Sequence, residues 1–285
     1  NNYKIVHSHI NTLSVFPLYM AWKCNIPVRI AHNHSVPGGE SLKRIGLKYF
    51  LRNFSCLFAT DYFACSEKAG RWLFGNKNFD NNKVTVMKNA VNFDRFRPST
   101  DKVGLLKKKL GIEDKFVVGC IGRFTFAKNH QFLIDVFKKL CCLKENAVLV
   151  LVGDGELNEQ IHTWVFENGL KEKVIFVGQV NDPENYYRLC DVIAVPSVFE
   201  GLSLTTIESQ IAGVPVVVSK AVPDEAIISN GVIKRQLDID IWVNSIAEMK
   251  IENVSLYSSS EEYNILYAAQ ILEDKYFQII GERNL

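Results

Sequence analysis

From near its start almost to its end the chain alternates short β-branched runs with longer stretches of helical periodicity, a rhythm that restricts it to parallel sheets joined by helical crossovers. Strands are read at 4–9, 28–33, 57–66 and 83–88, then at 116–122, 148–153, 174–178, 191–196 and 214–219. Parallel sheets need cover on both faces, so each group of strands predicts an open, doubly wound α/β unit. Between the groups the pattern breaks over 92–114. There Arg97-Pro98-Ser99-Thr100-Asp101 is polar, and Lys107-Lys108-Lys109 suits one solvated turn of helix. The domain change is placed near Asp114, giving domains 1–114 and 115–285. The second ends in an amphipathic helix over 261–281, with Tyr263, Leu266, Tyr267, Ile271, Tyr276 and Phe277 as apolar positions, able to pack back on the first domain. With 47% of its 285 residues hydrophobic and 22% charged, the chain can fill two cores and is not a disordered polymer.

Charge and cysteine usage narrow the function. Lys plus Arg number 33 against 31 Asp plus Glu, and a net charge of +2 excludes a protein whose main task is to coat nucleic acid. The seven cysteines are odd in number, lack CxxC spacing and sit mostly in apolar runs, which fits a reducing compartment and argues against a zinc ribbon. No apolar run reaches the ~18 residues of a membrane span, and the opening Asn1-Asn2-Tyr3-Lys4 has no signal-peptide layout, so a cytoplasmic protein is expected. The chain opens directly on a strand without an initiator Met, and its first domain has fewer strands than its second. A missing amino-terminal segment is therefore also expected.

Two segments carry the chemistry. Strand 116–122 runs into Gly122-Arg123-Phe124-Thr125-Phe126-Ala127-Lys128-Asn129 and then a helix, so two cations five positions apart flank a helix amino terminus whose free amides already favour an anion. A diphosphate fits there; two ordinary loop cations are the alternative. Phe199-Glu200-Gly201-Leu202-Ser203-Leu204-Thr205-Thr206-Ile207-Glu208 follows a strand and opens a second helix. Gly201 lets backbone approach a ligand, Ser203 to Thr206 offer first-turn amides, and Glu200 and Glu208 can accept hydrogen bonds from sugar hydroxyls. The alternative there is a helix cap and a surface glutamate.

These residues resemble glycosyltransferase family four, in its polysaccharide-building members. The resemblance is carried by Gly122-Arg123, Lys128-Asn129, Val152-Gly153-Asp154-Gly155-Glu156-Leu157, Phe176-Val177-Gly178 and the Glu-x7-Glu pair Glu200/Glu208. His7-Ser8-His9, Ala31-His32-Asn33-His34 and Asn89-Ala90-Val91-Asn92 extend it over the first domain. It implies a GT-B architecture, two Rossmann-like domains facing across a cleft, and a retaining, metal-independent hexosyltransferase with no cofactor. The donor would be a nucleotide-diphosphate sugar, UDP-linked. The acceptor would be a saccharide or lipid-linked saccharide in capsule or exopolysaccharide assembly.

By the same resemblance Arg123 and Lys128 hold the diphosphate, Glu208 the ribose and Glu200 the transferred sugar. Gly122 and the amides of Gly201, Leu202, Ser203, Leu204, Thr205 and Thr206 line the donor, the loop from Val177 to Val180 borders the base, and His34 contacts the sugar near the bond being broken. Ser203 stands where the family usually has Pro or Gly, and the family's first strand and Gly-rich loop have no counterpart here. Rival readings are a nucleotide-sugar epimerase of the same architecture and a non-catalytic nucleotide-sugar-binding subunit.

Other features suit redox, metal or membrane chemistry at first sight. Gly153-Asp154-Gly155-Glu156 opens like a dinucleotide fingerprint but lacks the third glycine and is acidic where pyrophosphate would sit, so an oxidoreductase is rejected. Asp238-Ile239-Asp240 is formally a metal-binding Asp-x-Asp but stands where a helix cap is expected. The pairs His7/His9 and His32/His34 each project to one face, so neighbouring strand ends could gather four imidazoles for zinc. Single histidines at a ligand cleft are the preferred reading, and no metal site is assigned. His130 and His162 read as helix-surface residues. Over 41–54, Leu42, Ile45, Tyr49, Phe50 and Phe54 fall at helical spacing with Arg44, Lys48 and Arg52 four apart beside Lys43, which suits an anionic membrane surface or an ordinary packed helix.

Overall fold

The computed structural model describes residues 3–37, 42–96, 100–249 and 254–283. The sequence features at Asn1, Asn2, Ser41 and Arg97-Pro98-Ser99 lie outside these residues. The chain divides into two compact units, Asn1–Val91 with Glu261–Leu285, and Asn92–Ser260.

The first unit is built on a four-stranded sheet, β1 (Ile5–Ser8), β2 (Val28–Asn33), β3 (Asp61–Ala64) and β4 (Val84–Val86), in that spatial order and parallel throughout. Leu18, Ala64, Leu73 and Phe74 form one buried cluster, and Val28, Ile30, Phe63, Met87 and Ile279 another. The last of these comes from the helix Ile265–Glu282, which belongs to this unit. Val91 ties it down: its amide donates to the Tyr263 carbonyl (2.7 Å) and its carbonyl accepts from Ile265 (3.0 Å). Arg283 adds a 2.7 Å bond to Asp61 Oδ2.

Of the expected apolar positions, Tyr276 packs on the sheet and Tyr263, just before the helix, is buried, but the rest of the stripe differs. Leu272, Tyr276 and Ile279, at i, i+4 and i+7, meet the sheet cluster, whereas Leu266, Tyr267, Ile271 and Phe277 are exposed. The helix carries apolar side chains on more than one face, and periodicity alone did not say which face the sheet would take. Segment 92–114 likewise falls in the second unit, because the Val91 bonds close the first one and the helix Thr100–Leu110 packs against the helix Pro183–Arg188.

The second unit has six parallel strands: β5 (Phe116–Ile121), β6 (Ala147–Val152), β7 (Val174–Gly178), β8 (Val192–Val195), β9 (Val216–Ser219) and β10 (Val232–Arg235). Their spatial order is β10-β9-β8-β5-β6-β7. β10 had no counterpart in the sequence reading, for it is a short edge strand that keeps partial exposure and ends in Lys234-Arg235. Wholly buried β6, β8 and β9 are continuous apolar runs and were legible. From β5 the chain winds outward to β6 and β7, then returns to β8 on the other side, so β5 and β8 part at their carboxyl ends. In doubly wound sheets that is where ligands bind.

Candidate functional site

Everything leaving β5 is fitted to the end of β8. After Gly122 the chain buries Phe124, makes a short 3₁₀ turn Phe126–Lys128 and enters the helix His130–Leu143 through Asn129 in the left-handed conformation. Asn129 Nδ2 donates to the Pro196 carbonyl (3.2 Å), and the Val198 amide donates to the Ala127 carbonyl (2.9 Å). Held this way, Lys128 Nζ donates to Glu200 Oε1 at 2.7 Å, and Ser197 Oγ donates to the same oxygen at 2.7 Å. The two charged side chains are 22% and 9% exposed, so the pair is largely out of water and its Coulomb attraction is less screened than at the surface.

The helix Leu204–Ile211 starts at Ser203, whose φ of 64° is a left-handed value that glycine adopts without strain. Ser203 Oγ and Thr206 Oγ1 share a hydrogen bond (2.8 Å), and Thr205 Oγ1 donates to the Ile121 carbonyl (3.2 Å), which pins the helix start to the end of β5. The Thr206 amide donates to the Ser203 carbonyl (3.1 Å), and the Leu204 and Thr205 amides, which come before any intrahelical acceptor, remain available to an oxyanion. One turn inside, Glu208 accepts a 2.6 Å bond from Tyr187 Oη. Burial raises the Glu208 carboxyl pKa, while Tyr187, Arg95 and Lys128 act in the opposite direction. The ionic influence of Lys128 thus reaches both glutamates.

A cavity of about 540 Å³ opens beside this group, lined by Gly122, Arg123, Gly153, Asp154, Gly155 and Val180 among others. Arg123 is exposed, and among the described residues none hydrogen-bonds its guanidinium. The floor depends on glycine. A Cβ on Gly153, whose φ is +137°, would lie 2.0 Å from the Gly122 carbonyl oxygen, and one on Gly155 would lie 2.4 Å from that of Phe124. These glycines let the β5 and β6 exits zip together through Gly122 N–Val152 O (2.9 Å) and Phe124 N–Asp154 O (2.9 Å). We expect Gly153→Ala to destabilise the protein by about 3 kcal/mol or more, the sum of backbone strain and overpacking, read as a lower urea midpoint at unchanged slope. A variant within 0.5 kcal/mol of the parent would show that the loops can separate freely.

The structure therefore brings together Lys128, Glu200, Glu208 and the 203–206 helix start at the β5/β8 parting, with Arg123, Gly122 and Val180 on the adjoining cavity. Val177 is the penultimate residue of β7. His34 lies in the first unit, with Nδ1 bonded to Asn89 Oδ1 (2.8 Å) and Nε2 to His9 (2.9 Å). Ser197 and Tyr187, which hold the two glutamates, were missed; nothing in their local pattern marks them. His130 is a correction: it is 2% exposed, edge-on to Phe124 and 3.8 Å from Cys120 Sγ, because the helix entry turns it inward under the loop. Asp238 caps its helix by accepting from Ile241 N (3.0 Å), and Asp240 pairs with Lys139, so both carboxylates are engaged locally.

Residues 104–264, more than half of the chain, match the family Glycosyl transferases group 1. EpsF of Bacillus subtilis (strain 168) is 31% identical over 255 residues, which are 86% of this chain and 65% of that protein. The chain thus spans slightly less than two thirds of that relative's length. The UDP-Gal:alpha-D-GlcNAc-diphosphoundecaprenol alpha-1,3-galactosyltransferase of Escherichia coli is 26% identical over 297 residues, 98% of this chain and 76% of the relative. Among solved structures, Anabaena Alr3699/HepE in complex with UDP-glucose superposes with a TM-score of 0.78 at 20% identity, covering 96% of this chain and 79% of that one. The fold is of the GT-B class.

Proposed function

Because the chain belongs to the Glycosyl transferases group 1 family, we propose that it is a retaining transferase that moves a hexose from a UDP-sugar to a saccharide or lipid-linked saccharide acceptor in polysaccharide assembly. The observation that carries this reading is the Lys128–Glu200 pair held at the β5/β8 parting beside an open helix start. Departure of a nucleoside diphosphate builds negative charge on its outer phosphate. Lys128, Arg123 and the amides of Gly201 to Thr205 supply preorganised positive potential there without reorganisation at the moment of bond breaking.

When the diphosphate engages Lys128, the Glu200 carboxylate is released to accept from a sugar hydroxyl. Glu208, oriented by Tyr187, keeps its other oxygen for the ribose. Val177 and Val180 border the base; the assignment of His34 to the transferred sugar rests on the family resemblance alone. The acceptor attacks from the face the leaving group departs, and the leaving phosphate takes its proton. Related names support the donor and acceptor classes: the E. coli relative is a UDP-Gal transferase acting on a diphosphoundecaprenol-linked sugar, and HepE was solved with UDP-glucose. The test is a thermal-shift panel of UDP-, GDP- and ADP-sugars, since a ligand bound only by the native state raises apparent stability. Stabilisation by UDP-sugars alone is expected, and none by any of the three would overturn the reading.

A lipid-linked acceptor needs a surface at the membrane's inner face. No helix among the described residues is long and apolar enough to cross a membrane. The helix Leu42–Arg52 instead exposes Leu47, Tyr49 and Phe50, with Phe54 and Leu57 just beyond it, and carries Lys43, Arg44, Lys48 and Arg52. Each cation near an anionic surface contributes about 1 kcal/mol. Reversing Arg44, Lys48 and Arg52 to Glu should therefore weaken binding to phosphatidylserine vesicles by ~10² or more in a sedimentation assay. Unchanged partitioning would dismiss this contact.

A further inference from the structure

The register of β1 against β2 pairs His7 with Ile30 and Ser8 with Ala31, so the carboxyl ends of the two strands run out side by side as His7-Ser8-His9 and His32-Asn33-His34. Four imidazoles meet there. His7 Nε2 lies 3.1 Å from His32 Nδ1, and His9 Nδ1 lies 2.9 Å from His34 Nε2. The rings of His7 and His9 stack at 4.1 Å between centroids, those of His32 and His34 at 4.0 Å. One ring nitrogen each from His7, His9 and His32 falls within 4.8 Å of the others.

We propose that His7, His9 and His32 bind a zinc ion, with the fourth position open to water or an anionic oxygen. Four-coordinate zinc at 2.0–2.1 Å from each nitrogen spaces its ligands by about 3.3 Å. The His7–His32 pair already has that separation, with one proton shared where a cation would sit. His9 is exposed and can close the remaining distance without disturbing the core.

Hydrogen bonding within the protein does not satisfy the cluster. His32 is 5% exposed, and among the described residues its Nε2 has no partner, a cost that a cation on Nδ1 leaves in place. Asn89 Oδ1 accepts from His34 Nδ1, which leaves His34 Nε2 as acceptor, makes His9 Nδ1 the donor and keeps the lone pair of His9 Nε2 uncommitted. His7 Nδ1 is bonded to Tyr276 Oη at 2.7 Å, the outer contact that orients a ligating imidazole. His34, given to the transferred sugar by the resemblance, borders this cluster through its 2.9 Å bond to His9, so the test reads metal binding and not transfer.

The experiment is a zinc titration of the full, tag-free chain by competition with a chromophoric chelator, together with cobalt(II) substitution read by visible absorption. One equivalent per chain and a four-coordinate cobalt spectrum are expected. His9→Ala, at an exposed position that spares the core, should weaken zinc by at least ~10-fold, and Tyr276→Phe by ~10–100-fold. Absence of saturable one-to-one binding overturns the site. So does a zinc affinity that His9→Ala leaves unchanged, which would place the ion elsewhere.

Discussion

Lys128→Ala should lower turnover by ~10²–10³, the loss typical of removing one preorganised group from a developing oxyanion, while the protein stays folded. The fold survives because Glu200 retains its bond from Ser197, and because the loop is held by Asn129 and Val198 independently of the lysine. Lys128→Arg should recover part of the rate, since charge survives while the bidentate fork misplaces it. Steady-state rates with a saturating UDP-sugar, alongside circular dichroism, decide the matter. A variant with near-normal kcat would remove Lys128 from the chemistry, and with it the assigned meaning of the ion pair.

Between pH 6.5 and about 4 the protein should lose about 3 kcal/mol of stability through His130 alone. Burial, aided by the nearby Lys128 charge, lowers this imidazole from 6.5 to about 4. Above 6.5 both folded and unfolded states are neutral at this ring and the contribution is fully present. Below it the unfolded chain takes the proton while the native state refuses it, so stability falls with pH until the folded value is passed. His130→Gln should flatten that part of the pH profile whatever it does to absolute stability. The measurement is the urea midpoint at half-unit pH steps, and parallel profiles for parent and variant would show that His130 is protonated without cost.

What could be read in advance follows a physical division. Continuous apolar runs such as 147–152 announce buried parallel strands, and a glycine-cation-helix sequence announces an anion site, because each is fixed by neighbours in the chain. Partners contributed from afar leave no such trace. Tyr187 reaches Glu208 from another helix, Ser197 meets Glu200 only because β8 ends beside it, and β10 is an edge strand whose pairing with β9 replaces an apolar pattern. His130 was misplaced for the same reason: its burial is imposed by Phe124, on a loop whose path depends on glycines in the β6 exit.

The return of the helix Ile265–Glu282 to the first unit has a consequence for biosynthesis. A ribosome finishes β1 to β4 well before it makes Tyr276 and Ile279, which cover one face of those strands. At ~5–20 residues per second roughly 190 further residues take about 10–40 s, during which Val28, Ile30 and Phe63 lack their final cover. The later-made unit can complete itself first, leaving the earlier one as a nascent, sticky surface, the point at which chaperones would engage this polypeptide.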